Sequence, residues 1–300
     1  MKERCEQCPR KCGTDRTSAT GFCGAPWELC VARASLHQWE EPSISGSRGS
    51  GTIFFAGCNL RCVFCQNREI SRGEGIGRIL SPDQLEALML RLRDEGAHNV
   101  NLVTPTPYAK QLIPILRRVK PRLGIPVIYN CGGYESTDVL QKLEGLVDIY
   151  LPDIKYFSPT LSKRYSAAED YFSVALTALR EMLRQTGSPK TDENGLLTRG
   201  TVVRHLVLPS CREDSIALLS ALADTFGNDA FLLSLMSQYT PDFAKDTPYP
   251  NLHRRITSFE YDAVLTHARR LGFDGYFQSR SSATDAYTPN FLDGDLLKLI

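Results

Sequence analysis

Ten cysteines punctuate this 300-residue chain, and eight of them fall within its first 65 residues. Core use would scatter cysteines along a sequence, so clustering of this kind points to shared ligation. The opening residues, MKERCEQC, are charged and carry thiols where a secretory leader needs an apolar stretch, so the chain reads as cytoplasmic. Disulfides are rare in that reducing compartment, which leaves metal or iron–sulfur ligation.

Composition narrows the partners. With 35 Lys plus Arg against 34 Asp plus Glu, the formal net charge is only +1, which argues against a long-range field for gripping nucleic acid or an acidic membrane. Nothing in the sequence approaches the roughly 18 uncharged apolar residues of a membrane span. The basic run RRVKPR at 117–122 ends a predicted helix and reads as a solvated face that complements the helix dipole.

Beyond a cysteine-rich segment, the stretch EEPSISGSRGSG at 40–51 reads as a connector. From Thr52 onward, short β-branched or apolar runs alternate with helical patterns, the signature of successive βα units and a parallel sheet. The expected strands are 52–56, 99–103, 126–130, 147–151, 202–208 and 231–235. Six such units suit an α/β fold of the partial parallel barrel type, (β/α)6, short of a complete eight-unit barrel. Two helices announce their starts: Ser81 with Gln84, and Thr257 with Glu260, both in capping-box spacing. Residues 187–200 read as a surface insertion turning at Asn194 and Gly195. The expected divisions are a Cys-rich N-terminal extension at 1–45, a barrel at 46–280 and a C-terminal tail at 281–300.

Cys58, Cys62 and Cys65 stand in GCNLRCVFCQN, directly after the first barrel strand. Three thiolates are thus offered from one loop at the C-terminal end of a strand, the face on which barrel enzymes keep their chemistry. A fully ligated [4Fe–4S] cluster takes four cysteines, and no fourth follows within the loop. The open iron this implies could bind substrate, as a catalytic zinc keeps an open position. A zinc site, or a closed cluster completed by distant Cys131 or Cys211, is the rival reading.

At this motif the sequence resembles the radical S-adenosylmethionine (SAM) superfamily, whose three cysteines hold a [4Fe–4S] cluster with SAM on the fourth iron. The segments CEQCPRKCGTDR, GTIFFAGCNLRCVFCQNREIS, GAHNVNLVTPTPY, YNCGGYE, VDIYLPDIKY, RHLVLPS and LMSQYTP further resemble one branch, the uncharacterised iron–sulfur proteins related to pyruvate formate-lyase activating enzyme. The resemblance runs from residue 5 to Gln278. It implies reductive cleavage of SAM to a 5′-deoxyadenosyl radical that abstracts hydrogen from a substrate, with the protein supplying position and electrostatics. It also implies a protein or peptide substrate, in the most specific version a glycyl-radical enzyme, and a flavodoxin- or ferredoxin-like electron donor. Radical modification of a small molecule or RNA is the alternative, and a non-catalytic iron–sulfur or zinc protein is the rival from another class.

By the same resemblance, Thr104 and Thr106 in TPTPY take the place of the superfamily's Gly-Gly-Glu motif beside the SAM amino group. Asn130, Asp153, Lys155 and Arg204 resemble positions that bind SAM, and the two cations would suit its carboxylate. An ordinary Asp153–Lys155 ion pair is the plainer reading of those two residues. The branch usually has His where this chain has Pro107. Gln238 and Gln278 are expected at the same barrel mouth, while His205 reads as a satisfied core histidine.

Upstream, Cys5, Cys8, Cys12 and Cys23 sit among the turn-forming Gly13, Gly21 and Gly24. Four thiolates within about 20 residues suit a closed tetrahedral zinc site or a second iron–sulfur cluster, and spacing alone does not separate them. Cys30 reads as a buried thiol. Gly73, Gly75 and Gly77 lack the strand and acidic partner of a dinucleotide fingerprint and read as a linker or lid.

Overall fold

Every expected barrel strand forms, because each is a short apolar run that can be buried on both faces of a parallel sheet. The structure is a computed structural model that describes residues 4–72 and 76–278. Its strands are β1 (Leu29–His37), β2 (Ser50–Phe55), β3 (Arg78–Leu80), β4 (Val100–Val103), β5 (Val127–Cys131), β6 (Ile149–Pro152), β7 (Lys190–Thr191), β8 (Leu197–Leu206), β9 (Leu232–Met236) and β10 (Gly275–Phe277). They join in the order β10-β9-β8-β6-β5-β4-β2-β1-β3, with β7 paired to β8. All pairs from β2 to β10 along this path are parallel, whereas β1 runs antiparallel to both β2 and β3. The path has two ends, so the sheet curves as a partial barrel without closing.

Helices cover the outer face. The one over Pro82–Asp94 carries the Ser81/Gln84 capping box, and the one over Ser258–Arg270 carries that of Thr257 and Glu260. The basic run lies on the helix Ala109–Leu123, where Arg118 pairs with Asp83 and Glu86 and Lys120 pairs with Asp148. Its charges are therefore engaged within the chain. In the insertion, β7 pairs with β8 across a turn in which Gly195 has a positive φ of 77°. No helix among the described residues is long and apolar enough to cross a membrane. Gly73, Gly75 and the tail at 281–300 lie outside the described residues.

Two features exceed the expected six-strand frame. The segment read as an N-terminal extension contributes β1 to the main sheet. The stretch read as a connector then turns into the bowl of the sheet as a single helical turn, Pro42–Ser45, with Pro42 at its first position. Ile44 from that turn is fully buried against Ile128, Ile149, Leu151, Leu197 and Val202. Asn99 Nδ2 donates to the Ile44 carbonyl at 2.8 Å. Gly46 leaves the bowl with φ +51°, and a Cβ there would meet Leu196 at 2.7 Å and His98 at 2.8 Å. The connector is thus also a plug.

Candidate active site

Strand residues alternate in direction, so every second position of a barrel strand looks inward. The cavity of about 510 Å³ inside the bowl is lined from this set by Asn130, Asp153, Arg204 and Ser234 on or beside β5, β6, β8 and β9. Their volume class is that of small-molecule sites. Cys58, Cys62 and Cys65 line the same cavity from the loop that follows β2. Of the predicted site residues, Thr104 and Lys155 join them, as do Gln238 and Gln278.

The thiol loop is held from several sides. Leu60 N–H donates to Cys58 Sγ at 3.4 Å, and Cys62 Sγ lies 3.0 Å from Ser166 Oγ. Cys58 N–H donates to the Cys23 carbonyl at 3.0 Å, which fastens the loop to the N-terminal segment. Burial and the neighbouring thiols push the Cys58 thiol far up, and Cys65 moves the same way. Bound iron would invert that balance, because a coordinated thiol is deprotonated. The donor set fits an iron–sulfur cluster: three soft sulfur ligands share one wall of a partly buried cavity.

A network of charged groups lines the same cavity. Arg204 donates through Nε to Asp153 Oδ1 at 2.8 Å, through Nη2 to Asn130 Oδ1 at 2.6 Å and through Nη1 to Glu40 Oε2 at 3.2 Å. Lys155 Nζ donates to Asp153 Oδ2 at 2.6 Å. Burial pushes the Asp153 carboxyl up, but Arg204 and Lys155 outweigh it and hold the group below its usual range. Both cations are themselves raised, mainly by Asp153 acting against burial. The Asp153–Lys155 ion pair therefore exists, and it exists on the cavity wall.

Turns beyond the strands are tightly specified. Gly133 has φ +78°, and a Cβ there would lie 2.2 Å from the Asp153 carbonyl. Thr104, a β-branched residue, is held at φ 56°, and its N–H donates to the Asn130 carbonyl at 2.8 Å. Such strain is characteristic of functional loops.

Some candidates lie elsewhere. Thr106 is fully buried away from the cavity and donates to Glu135 Oε1 at 2.8 Å. His205 is the core residue expected of it, 2.7 Å from the Ile154 carbonyl and 2.8 Å from Ser215 Oγ, with burial lowering its pKa to about 4. Cys131 lines the cavity, whereas Cys211 is buried outside it. Sequence reasoning missed Glu40 and Glu41, which enter the bowl on the plug and line the cavity, Glu41 8% exposed and the Glu40 side chain 9%. Their only signal was two acids directly before a proline that starts a helical turn.

The four upstream thiols share one small knot. Cys5 N–H donates to the Thr14 carbonyl and Gly13 N–H to the Cys5 carbonyl, closing a loop around Cys8 and Cys12. Burial pushes Cys8 up to about 12 and raises Cys23, whereas hydrogen bonds from Thr14 and Phe22 outweigh burial at Cys12 and lower it. Arg16 anchors the knot by donating to the Pro107, Ala25 and Pro26 carbonyls. Among the described residues no three His, Cys, Asp or Glu side chains converge as ligands of one ion, the cavity thiols included.

Residues 52–209 match the family model of the Radical SAM superfamily. The chain belongs to that superfamily. An uncharacterized protein of Methanocaldococcus jannaschii is 29% identical over 286 residues, covering 91% of this chain and 76% of the relative. A Haemophilus influenzae protein provisionally named a glycyl-radical enzyme activating enzyme is 26% identical over 115 residues, 38% of this chain and 44% of its own length. Among solved structures, methylornithine synthase superposes with a TM-score of 0.51 at 16% identity, over 82% of this chain and 72% of that one. The [FeFe]-hydrogenase maturase HydG from Carboxydothermus hydrogenoformans gives 0.52 at 14% identity, over 77% and 53%. These two likenesses bear out the fold, a radical SAM α/β partial barrel.

Proposed function

We propose that this chain is an enzyme that uses a [4Fe–4S] cluster on Cys58, Cys62 and Cys65 with SAM in the adjoining cavity. The single observation that carries the reading is that the three thiols share a cavity with Thr104, Asn130, Asp153, Lys155 and Arg204. When bound, the cluster and SAM supply reductive cleavage of the sulfonium and hydrogen abstraction from a substrate. The chain's own residues hold and orient. The Thr104 loop offers a hydroxyl and strained backbone to an ammonium group, and Lys155 offers the nearest cation to a carboxylate. Arg204 acts mainly as a brace, since its guanidinium is divided among Asp153, Glu40 and Asn130.

The Haemophilus relative supports a finer version, in which the substrate is a glycyl-radical protein. The cavity favours a second reading. Its floor is closed by the plug, so hydrogen abstraction from a small substrate competes with activation of a polypeptide. The upstream thiols Cys5, Cys8, Cys12 and Cys23 would hold a second metal, zinc or iron–sulfur, by drawing together from positions in which no three of them meet at one point. A flavodoxin- or ferredoxin-like donor would supply the electron.

The test is anaerobic. Protein reconstituted with iron and sulfide, given SAM and a strong reductant, is expected to form 5′-deoxyadenosine, and the combined Cys58→Ala, Cys62→Ala and Cys65→Ala variant to form none. Failure of the reconstituted protein to bind SAM sinks the reading. Metal analysis of the same triple variant separates zinc from iron at the upstream thiols.

A further inference from the structure

Cys62 differs from the other two loop thiols in what meets its sulfur. Its Sγ lies 3.0 Å from Ser166 Oγ, and Ser166 Oγ lies 2.8 Å from Tyr156 Oη. Ser166 is fully buried and Tyr156 is 1% exposed. Neither residue lines the cavity, so the hydroxyl reaches the sulfur from the protein side. Cys58 and Cys65 are met instead by the chain just downstream of each, the Leu60 N–H at Cys58 and the Asn67 N–H and Ser71 hydroxyl at Cys65.

Backbone on both sides of Cys62 fixes this geometry. The helix Pro159–Ser166 ends against the thiol loop, and its last carbonyls, which have no partner within a helix, take the loop's amides. Val63 N–H donates to the Tyr165 carbonyl at 2.9 Å and Arg61 N–H to the Ser166 carbonyl at 3.2 Å. Arg10 Nη2 adds a bond to the Ser166 carbonyl at 3.4 Å. Tyr156 packs edge-on to Tyr171 with ring centres 5.5 Å apart, and Tyr171 Oη accepts from Lys155 N–H at 3.1 Å. A helical serine often turns its hydroxyl back to the carbonyl four residues earlier, whereas this one faces a thiol.

Iron settles the direction of the chain of hydroxyls. A thiolate bound to iron carries no proton and can only accept, and Ser166 has a single proton to give. Its O–H then points at Cys62 Sγ, and its oxygen accepts from Tyr156 O–H. We propose that Ser166, oriented by Tyr156, is a positioning residue of the cluster site that donates to Cys62 Sγ and raises the reduction potential of the cluster. The assignment rests on the SAM-enzyme reading above and adds a determinant of how readily that enzyme is reduced. Reduction adds one negative charge, supplied by an external one-electron donor, and a hydrogen bond to sulfur favours the more negative state. No bond to Ser166 is made or broken. Burial strengthens the effect, because a hydrogen bond in a low-dielectric interior is stronger than in water and the second hydroxyl polarises the first.

The experiment is a redox titration of anaerobically reconstituted protein, without SAM, followed by electron paramagnetic resonance of the reduced cluster. Subtracting the signal of the combined Cys58→Ala, Cys62→Ala and Cys65→Ala variant removes any contribution from the upstream thiols. Ser166→Ala should lower the equilibrium constant for reduction about tenfold, which is about 59 mV more negative for a one-electron couple. Tyr156→Phe keeps the serine and loses only its orienting partner, so it should shift the potential the same way by less. Ser162→Ala is the structural control, since Ser162 is buried one turn earlier on the same helix and its hydroxyl bonds the Pro159 carbonyl. It should leave the potential unchanged. The proposal is overturned if Ser166→Ala moves the constant less than threefold or upward, or if Ser162→Ala moves it as far, which would make the effect one of packing. An unchanged potential in Tyr156→Phe overturns it as well, even where Ser166→Ala fails to take up iron. A wild type with no signal beyond that of the triple cysteine variant strikes the underlying reading, and the assignment falls with it.

Discussion

Glu135 shows how one buried side chain can tie stability to pH. It accepts from Thr106 and Tyr129 in a fully enclosed pocket, and burial outweighs those hydrogen bonds to raise its pKa to about 8. The native state therefore keeps a proton that the unfolded chain releases near the ordinary carboxylate value. Stability from this group is complete below that value, falls as pH rises, and levels off above about 8. The difference in unfolding free energy between wild type and Glu135→Gln, measured in urea, should shift by a few kcal/mol across that window. A flat difference would show that Glu135 is ionised in the fold. Arg204→Met makes a second residue-scale prediction. It strands Glu40 and half of the Asp153 pairing, a loss of about 3–5 kcal/mol, and adding Glu40→Gln should recover part of it. If the double variant is no more stable than the single, Glu40 is not held by Arg204. At this scale the thiol loop was legible from its spacing after a strand, and Asn130, Asp153, Lys155 and Arg204, singled out by the family resemblance, line the same cavity as those thiols. Glu40 and Glu41 were not legible, since their importance arises only when a polar stretch folds back into the bowl.

At the scale of elements, all six expected parallel strands are present with ends shifted by a few residues. Hydrophobic runs announce buried strands well, and capping boxes announce helix starts. β1, β3 and β10 were unread for physical reasons. β1 (LCVARASLH) hides among ligand-like cysteines, and β3 and β10 are three residues each, too short to show a period. The plug turn also lacks any periodic signal, as four residues cannot establish one. Its grip comes from Ile44, whose removal to Ala should cost about 2–4 kcal/mol by leaving a void in the bowl. A thermal melt gives the stability, and a parallel SAM titration shows whether the floor of the cavity moves with it. Unchanged stability would mean that the surrounding strands collapse onto the space.

Across the whole molecule, the N-terminal knot and the barrel are stitched together by guanidinium groups and by one backbone bond, with Cys23 packed into the main core. The Cys58 N–H bond to the Cys23 carbonyl, the Arg16 bond to the Pro107 carbonyl, the Arg10 bond to the Asn59 carbonyl and the Arg61 bond to the Phe22 carbonyl cross the junction. If a metal on the upstream thiols supplies the knot's folding energy, mild chelation should open residues 4–24 to protease while the barrel stays resistant. Simultaneous loss of both would show a single cooperative unit. The charged network in the bowl carries a broader consequence. Asp153, Arg204, Lys155, Asn130 and Glu40 already hold one another at hydrogen-bond distance, so none must swing when charge moves nearby. Liquid water would have to reorient its dipoles around every electron or proton that shifts. The bowl behaves instead as a solvent frozen in its polarised state, and a reaction run inside it meets a small reorganisation energy.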